Sequence, residues 1–430
     1  MNLPKNGRVV VIDDDEKEAF PLIRALSKEN IPVYYFKGEL EELPSGPLFE
    51  VRVIFLDINL VQGSTNEKTK ASQAAGIVDR LVGNNSGPYI LIIWAKHDDA
   101  STIDIIKDHL NKAGKTPLNI LNLGKSECKA CDYNIEFILE TIKNELGKIE
   151  FFHILTLWEN IVHQSSGEII KNISRHSIEM KGEWNENMGS IFYSLAEANA
   201  GKHIEDLDIT ESIKNSILPF NNTFLDTLET NINKITTFKD FEGLSFSKSK
   251  LDIKTVAKIN SKLLISKDGS FNDILPGNVY KFDKLNKYKI NLMDFFNYAN
   301  KEAFDRFCTE NELNNKIEYI LLEASPACDH SQKKWKFSRV IPGFMCVEEE
   351  LITKKLKGLS NSDFAYRSPI FEIEDNIYSL ILDFRCFTSL PFEELREYSA
   401  SFRFKHELIV EIQHKLSSHI CRPGIVSLRQ

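Results

Sequence analysis

Five short apolar runs recur along the first third of the chain, and stretches with helical periodicity separate them. The runs predict strands at Val9–Ile12, Ile31–Phe36, Val51–Leu56, Tyr89–Trp94 and Leu118–Leu123. Apolar residues three and four positions apart predict helices over 17–29, Gly76–Val82, Ile103–Leu110 and Ile135–Leu146. Continuous apolar strands that alternate with helices are typical of a parallel sheet covered on both faces. The pattern therefore predicts a doubly wound, five-stranded α/β domain over residues 1–148.

Aspartates follow two of these predicted strands at the point where each strand ends. Asp13 and Asp14 come directly after the first run, and Asp57 comes directly after the third. The carboxyl ends of parallel strands meet at one edge of the sheet, where proteins of this class bind their ligands. Carboxylates held close together repel one another unless a hard cation such as Mg²⁺ lies among them. The sequence therefore predicts a metal-dependent phosphoryl site at this edge.

These residues resemble the receiver domain of bacterial response regulators, over about a third of the chain. The matching segments are Val11-Ile12-Asp13-Asp14-Asp15, Ile54-Phe55-Leu56-Asp57-Ile58-Asn59-Leu60, Gly76 at a helix, and Leu121-Asn122-Leu123-Gly124-Lys125. The resemblance implies that Asp57 is the phosphoacceptor and that Lys125 contacts the phosphoryl oxygens. It also implies that Asp13 and Asp14 hold Mg²⁺ together with Asp57, and that the Asn59 carbonyl completes the metal shell.

Two features depart from the receiver pattern. Receivers usually carry Ser or Thr after the fourth strand, and this chain has Trp94 there, whose indole lacks the hydroxyl. The polar stretch Val61–Ala75 replaces a much shorter turn and predicts a long loop above the acidic pocket. Both departures bear on whether Asp57 is phosphorylated and on how the phosphoryl group would be sensed.

The pattern changes after the receiver-like segment. Apolar residues at helical spacing predict a largely helical connector over 149–250, which could also mediate a homodimer. Over 251–430, strand candidates at Ile317–Leu322, Phe337–Val347, Phe364–Ile373 and Ile377–Phe384 precede a long predicted helix at Phe392–Ile420. This arrangement predicts a C-terminal α+β domain built on a small curved sheet or barrel.

Composition limits the possible partners and surroundings of the protein. The formal charge of −9 over 430 residues argues against duplex DNA as a dedicated partner. No apolar run is long enough to span a bilayer, so a cytoplasmic location is expected. The seven cysteines are scattered, which favours reduced thiols. Cys128 and Cys131 form a CxxC, but a zinc site needs four ligands, so metal binding by this pair stays open.

The densest polar cluster of the C-terminal half is Cys328-Asp329-His330, which follows a predicted strand. A thiol, a carboxylate and an imidazole could form a nucleophile and base, or share a metal with Cys346, His419 or Cys421. Adjacent residues seldom point at one another, and a polar turn explains the same residues.

Three hypotheses about function follow. The leading one is a phosphoryl-accepting signalling protein, phosphorylated at Asp57 by a histidine kinase or a kinase-like ATPase. Its architecture is similar to receiver proteins of bacterial phage-defence operons. The first alternative is a degenerate receiver that binds partner proteins independently of phosphate. The second is a thiol- or RNA-directed enzyme centred on Cys328, Asp329 and His330.

Overall fold

The computed structural model describes residues 8–60, 66–84, 86–95, 100–235, 244–267, 273–282, 288, 290–326, 329–330, 336–347, 355–356, 359 and 362–421. The chain forms two compact units. The first comprises Met1–Met188 with Phe220–Phe246, and the second comprises Gly189–Pro219 with Ser247–Gln430. Within the described ranges, no helix is both long enough and apolar enough to cross a bilayer.

The first unit contains a five-stranded parallel sheet in the order β2-β1-β3-β4-β5, which confirms the predicted fold. The strands are β1 (Val9–Ile12), β2 (Val33–Phe36), β3 (Val53–Leu56), β4 (Ile90–Ile93) and β5 (Asn119–Asn122). The accompanying helices are α1 (Glu16–Lys28), α2 (Glu67–Leu81), α3 (Ala100–Lys112), α4 (Lys125–Ala130) and α5 (Ile135–Gly147). The chain reverses its winding direction between β1 and β3, and in such sheets this switch point is where ligands bind.

Two apolar layers enclose this sheet. In β1, Val9 and Val11 pack in the layer that contains residues of α1 and α5, while Val10 and Ile12 pack in the layer of α2 and α3. All four residues of β1, β3 and β4 are buried. This two-sided burial explains why the strands are uninterrupted apolar runs. The polar residues begin where the strands end.

The predicted loop over Val61–Ala75 is wrong for most of its length, because α2 begins at Glu67. Asn66 caps this helix by accepting a hydrogen bond from the Lys68 amide at 3.0 Å. The buried face of the first turns consists of Ala71, Ala74 and Ala75. Because alanines are small and alternate with lysines and glutamines, the hydrophobic periodicity of this segment is weak and did not predict the helix. Residues 61–65 lie outside the described ranges.

The segment after the sheet is helical, as expected. Its helices are α6 (Glu150–Glu179), α7 (Trp184–Ala200), α8 (Ile209–Ile217) and α9 (Phe220–Asn233). A partly buried ion-pair cluster joins α6 to the sheet. Glu159 of α6 lies 2.8 Å from Arg8 and 2.6 Å from Arg52, which precede β1 and β3. The cluster therefore holds α6 at the edge of the sheet opposite Asp57.

The second unit contains an antiparallel sheet with helices, which confirms the predicted α+β class. Its strands are β6 (Ile265–Ser266), β7 (Asn278–Lys281), β8 (Ile317–Glu323), β9 (Phe337–Cys346), β10 (Ala365–Arg367), β11 (Phe371–Ile373), β12 (Asn376–Asp383), β13 (Thr388–Pro391) and β14 (Ala400–Phe404). The main path runs β10-β12-β9-β8-β7-β14-β6, with β11 beside β12 and β13 beside β9. In the part of the chain that the structure describes, no pairing closes this path into a barrel.

Besides α8 and the end of α7, the second unit contains the helices α10 (Ile253–Leu264), α11 (Leu292–Phe296), α12 (Lys301–Glu310), α13 (Leu313–Lys316), α14 (Phe392–Leu395) and α15 (His406–Ile420). The predicted helix over Phe392–Ile420 is wrong, since β14 separates α14 from α15. Phe402 and Phe404 are both buried and Arg403 between them is not, which is the period of two of a strand. The predicted strand Phe364–Ile373 is divided around Pro369, which cannot donate a ladder hydrogen bond.

Candidate functional site

The sheet ladder places Asp13 and Asp57 side by side. The Asp57 amide donates to the Ile12 carbonyl at 2.8 Å, one step beyond the end of the β1–β3 register. The Asp13 amide likewise donates to the Phe36 carbonyl at 3.1 Å. Both side chains therefore leave the sheet at the switch point between β1 and β3. Asp13 is 0% and Asp57 5% exposed.

Lys125 joins these carboxylates from the start of α4. Its Nζ lies 2.7 Å from Asp13 Oδ2, forms an ion pair with Asp57 Oδ2, and lies 3.3 Å from Glu18 Oε2. The side chain is 1% exposed. The Lys125 amide donates to the Ala95 carbonyl at 2.9 Å, so the end of β4 fixes the backbone that carries it. The structure thus brings together three of the residues predicted from the sequence.

Asp13, Asp14 and Asp57 each direct one carboxylate oxygen to a common region, where the three atoms lie within 4.8 Å of one another. Among the described residues this is the one group of three or more His, Cys, Asp or Glu side chains arranged to hold a metal ion. All its donors are carboxylate oxygens, which suit Mg²⁺ or Ca²⁺ and not the softer metals. The donor set therefore fits the predicted class of ion.

Burial governs the electrostatics of this cluster. It raises the pKa of Asp13 to about 6, against the opposing effect of Lys125. Burial and the neighbouring Asp57 also raise the pKa of Asp14. For Lys125, burial disfavours the ammonium, but Asp57 and Asp13 outweigh it and raise the pKa above its ordinary value. Lys125 therefore stays protonated. Its single positive charge does not balance the three aspartates that face the metal position, so a bound cation would complete the neutralisation.

Tight turns orient the two central carboxylates. Asp13 Oδ1 accepts a hydrogen bond from the Asp15 amide at 3.0 Å, and Asp15 in turn caps α1. Asp57 Oδ1 accepts from the Asn59 amide at 2.9 Å. The Asn59 side chain accepts from Lys70 of α2 at 3.1 Å. In both aspartates one oxygen is held by the backbone while the other faces Lys125. Ligation of a metal by the Asn59 carbonyl stays a prediction.

Trp94 follows β4 and lies beside Asp57 in the sheet, because its amide donates to the Leu56 carbonyl at 2.8 Å. Its indole is 0% exposed and packs in the layer of α1 and α5. The ring centroid lies 6.0 Å from Lys125 Nζ. Within the described ranges, the indole N–H has no hydrogen-bond acceptor. The residue at the position of the expected hydroxyl is therefore a buried aromatic ring next to the site lysine.

Two residues of the site were missed from the sequence. Glu18 reaches Lys125 from the first turn of α1, and Tyr35 donates its hydroxyl to the Asp13 carbonyl at 2.9 Å. The spacing of Asp15 and Glu18 is that of a capping box, which would have placed Glu18 at the helix start beside Asp13. Tyr35 sits in β2 without any comparable sequence signal.

Among the candidates that the structure describes, the remaining ones do not form a metal-binding cluster. Cys328 lies outside the described residues. Asp329 lies 3.6 Å from Arg339, and His330, whose pKa burial lowers, lines a cavity of about 540 Å³ in the second unit. Two residues that could have shared a metal with this cluster differ in their surroundings. Cys346 is buried in β9, whereas His419 is half-buried near the end of α15 and its ring bonds the Asp363 carbonyl at 2.8 Å.

The CxxC pair is divided between the core and the surface. Cys128 is fully buried in the layer of α1 and α5, and Cys131 is exposed at the end of α4. Burial raises the pKa of the Cys128 thiol to about 11. A buried, poorly acidic thiol packed among apolar side chains is typical of a structural cysteine.

Comparisons with known proteins add little. No family model and no curated protein matches the chain. One similar solved structure is a response regulator from Burkholderia pseudomallei with a phosphorylated aspartic acid, calcium ion and citrate, at 19% identity over 42% of this chain and 95% of that one, with a TM-score of 0.22. Another contains a yeast Spc42 trimeric coiled-coil segment, at 16% identity over 34% of this chain and 86% of that one, with a TM-score of 0.20. Scores this low support no conclusion about fold or function.

Proposed function

We propose that this protein accepts a phosphoryl group on Asp57 in a Mg²⁺-dependent step and acts as a receiver-type signalling protein. The observation that carries the proposal is the placement of Asp57. This carboxylate lies at the switch point of the sheet, next to a buried lysine and two further aspartates. A carboxylate nucleophile needs such neighbours to offset the charge that gathers on a transferring phosphoryl group.

The proposed reaction transfers the phosphoryl group directly from the donor to Asp57. A carboxylate oxygen of Asp57 forms a bond to the phosphorus of a phosphoramidate or phosphohistidine donor. The phosphorus–nitrogen bond breaks, its electron pair passes to nitrogen, and that nitrogen takes a proton from water. Lys125 then contacts a phosphoryl oxygen, while Asp13 and Glu18 keep its ammonium near the site.

Asp13, Asp14 and Asp57 would hold the metal, with the Asn59 carbonyl as the fourth protein ligand. The bound ion would supply charge neutralisation at the phosphoryl oxygens. The turn hydrogen bonds at Asp13 and Asp57 hold one oxygen of each carboxylate, which would reduce the reorganisation that metal binding needs.

The phosphodonor in the cell is proposed to be a histidine kinase or a kinase-like ATPase, with a role in bacterial defence. The kinase follows from the resemblance of the acidic and basic residues to those of receivers, and the defence role follows from the similarity of the architecture to receiver proteins of phage-defence operons. The output would pass through α6, since the Glu159 ion pairs attach this helix to the sheet that carries Asp57.

Labelling with a small phosphodonor tests the proposal. The full chain is incubated with phosphoramidate in the presence of Mg²⁺ or of EDTA, and covalent phosphate is measured by intact mass. We expect label with Mg²⁺ and none with EDTA. Asp57→Asn should abolish labelling, while Asp15→Asn, a change of the exposed neighbouring carboxylate, should leave it intact.

An unlabelled wild type, beside a receiver that labels under the same conditions, would refute the proposal. In that case the degenerate receiver becomes the better description of the first unit. The hypothesis of a degenerate receiver would be supported if Asp57→Asn kept full function in cells.

A further inference from the structure

The site lysine has an aromatic neighbour in addition to its carboxylate partners. Lys125 is 1% exposed, and three carboxylates, from Asp13, Glu18 and Asp57, lie on it. Nζ also lies over the Trp94 ring, 6.0 Å from its centroid. This distance is within the range of cation–π attraction, which is stronger when both groups are shielded from water. Here both groups are buried.

The sheet fixes Trp94 in that place. The β3–β4 register pairs Leu56 with Ile93, so Trp94 is the next residue across from Asp57. Alternation along β4 puts Ile90, Ile92 and Trp94 into the same apolar layer, where Leu123 also packs. Lys125 follows two residues after Leu123. The ring is therefore held by core packing, and a rigid ring can restrict a flexible lysine stem.

A lysine that transfers its contact from a carboxylate to a phosphoryl oxygen needs a fixed support during the exchange. Of the three carboxylates on Lys125, Asp57 is the one that reacts, so only Asp13 and Glu18 stay with the ammonium throughout the transfer. Trp94 takes no part in the bond changes, and core packing holds its ring. Its negative ring face is therefore a contact for the ammonium that the transfer does not consume.

We propose that Trp94 is a positioning residue of this site, which holds the Lys125 ammonium beside Asp57 through its ring face. This inference rests on the proposed phosphoryl transfer for its effect on rate, but the contact itself does not depend on that function. It assigns the ring a role that a hydroxyl at this position could not have.

The first experiment compares two substitutions of the ring in the full chain. Trp94→Phe keeps an aromatic face, and Trp94→Leu keeps apolar volume without one. We expect Trp94→Leu to lower the rate constant for labelling by phosphoramidate about tenfold, and Trp94→Phe to stay within about threefold of wild type. Magnesium affinity, measured by calorimetry, should be unchanged in both, because Asp13 and Asp14 are untouched.

A double-mutant cycle shows whether the effect passes through the lysine. In a Lys125→Ala background, Trp94→Leu should cause no further loss of rate. The proposal is overturned if Trp94→Leu labels like wild type, if both ring substitutions are equally slow, or if the losses from Trp94→Leu and Lys125→Ala multiply.

A second experiment is independent of phosphorylation. Trp158, Trp184 and Trp335 are changed to Phe, so that Trp94 is the single fluorophore of the full chain. Replacing Lys125 by Met keeps the stem and removes the charge, and Lys125→Arg keeps the charge. We expect the Trp94 emission spectrum to change in the Lys125→Met variant and to stay close to that of the parent in the Lys125→Arg variant. Identical spectra for the parent and the Met variant would overturn the contact, even if the wild type accepted no phosphate.

Discussion

Replacing Asp13 by Asn should change how the stability of the first unit depends on pH. Asp13 is fully buried, and burial raises its pKa in the folded protein to about 6 from an ordinary value of 3.8. Asn has similar size and does not titrate. The perturbation therefore removes one buried titration and keeps the shape of the site.

The sign and the size follow from proton linkage. Between about pH 4 and pH 6 the folded state retains the Asp13 proton that the unfolded chain has lost. Wild-type stability therefore falls as pH rises through this window and levels off above the folded pKa. The difference between 3.8 and about 6 corresponds to about 3 kcal/mol. Relative to wild type, Asp13→Asn should gain up to about 3 kcal/mol in unfolding free energy between pH 4 and pH 7.

The assay is urea unfolding in EDTA at a series of pH values, followed by Trp94 fluorescence in the chain that has no other tryptophan. Because Trp94 lies in the sheet, its signal reports on the first unit. Asp15→Asn, in the same turn but exposed, is the matched control for the loss of one carboxylate.

A constant difference in stability between Asp13→Asn and wild type from pH 4 to pH 7 would refute this reasoning. A gain that appears on acidification would refute it as well, since that would mean that Asp13 is stabilised as the anion.

Three further outcomes are expected. In urea unfolding, Gly343→Ala should lower the stability of the second unit by about 3 kcal/mol, because the new Cβ would lie 2.1 Å from a backbone carbonyl oxygen of β12. Gly167→Ala adds a Cβ in open space on α6 and should raise the stability of the first unit by about 0.5 to 1 kcal/mol. Glu159→Gln should cost about 1 to 3 kcal/mol by removing the carboxylate charge from the partly buried arginine cluster, and the exposed Glu179→Gln less than about 0.5 kcal/mol. Iodoacetamide should modify Cys131 much faster than Cys128 in peptide mass spectra, because burial raises the Cys128 pKa.

The sequence was most informative where burial is two-sided. Runs such as those of β1, β3 and β4 have few interpretations other than central parallel strands, and the aspartates at their ends then had to share an edge. The predicted convergence of Asp13, Asp14 and Asp57 follows from that topology alone.

The wrong predictions arose where one hydrophobic pattern concealed another. In α2 the buried face is alanine, which hardly differs from polar neighbours in hydropathy. In β14 two phenylalanines at a spacing of two were absorbed into a longer helical pattern on either side. Glu18 was missed because its contact with Lys125 joins two elements that are 107 positions apart.

The central claim is that Asp57 is the residue that carries the phosphoryl group. Peptide mapping after incubation with phosphoramidate and Mg²⁺ tests this directly, because Asp57 and the Asp13–Asp14 pair fall on separable peptides. We predict that the phosphate is on the peptide that contains Asp57 and that Asp57→Asn eliminates it. Phosphate on the Asp13–Asp14 peptide, or labelling that survives Asp57→Asn, would contradict the account.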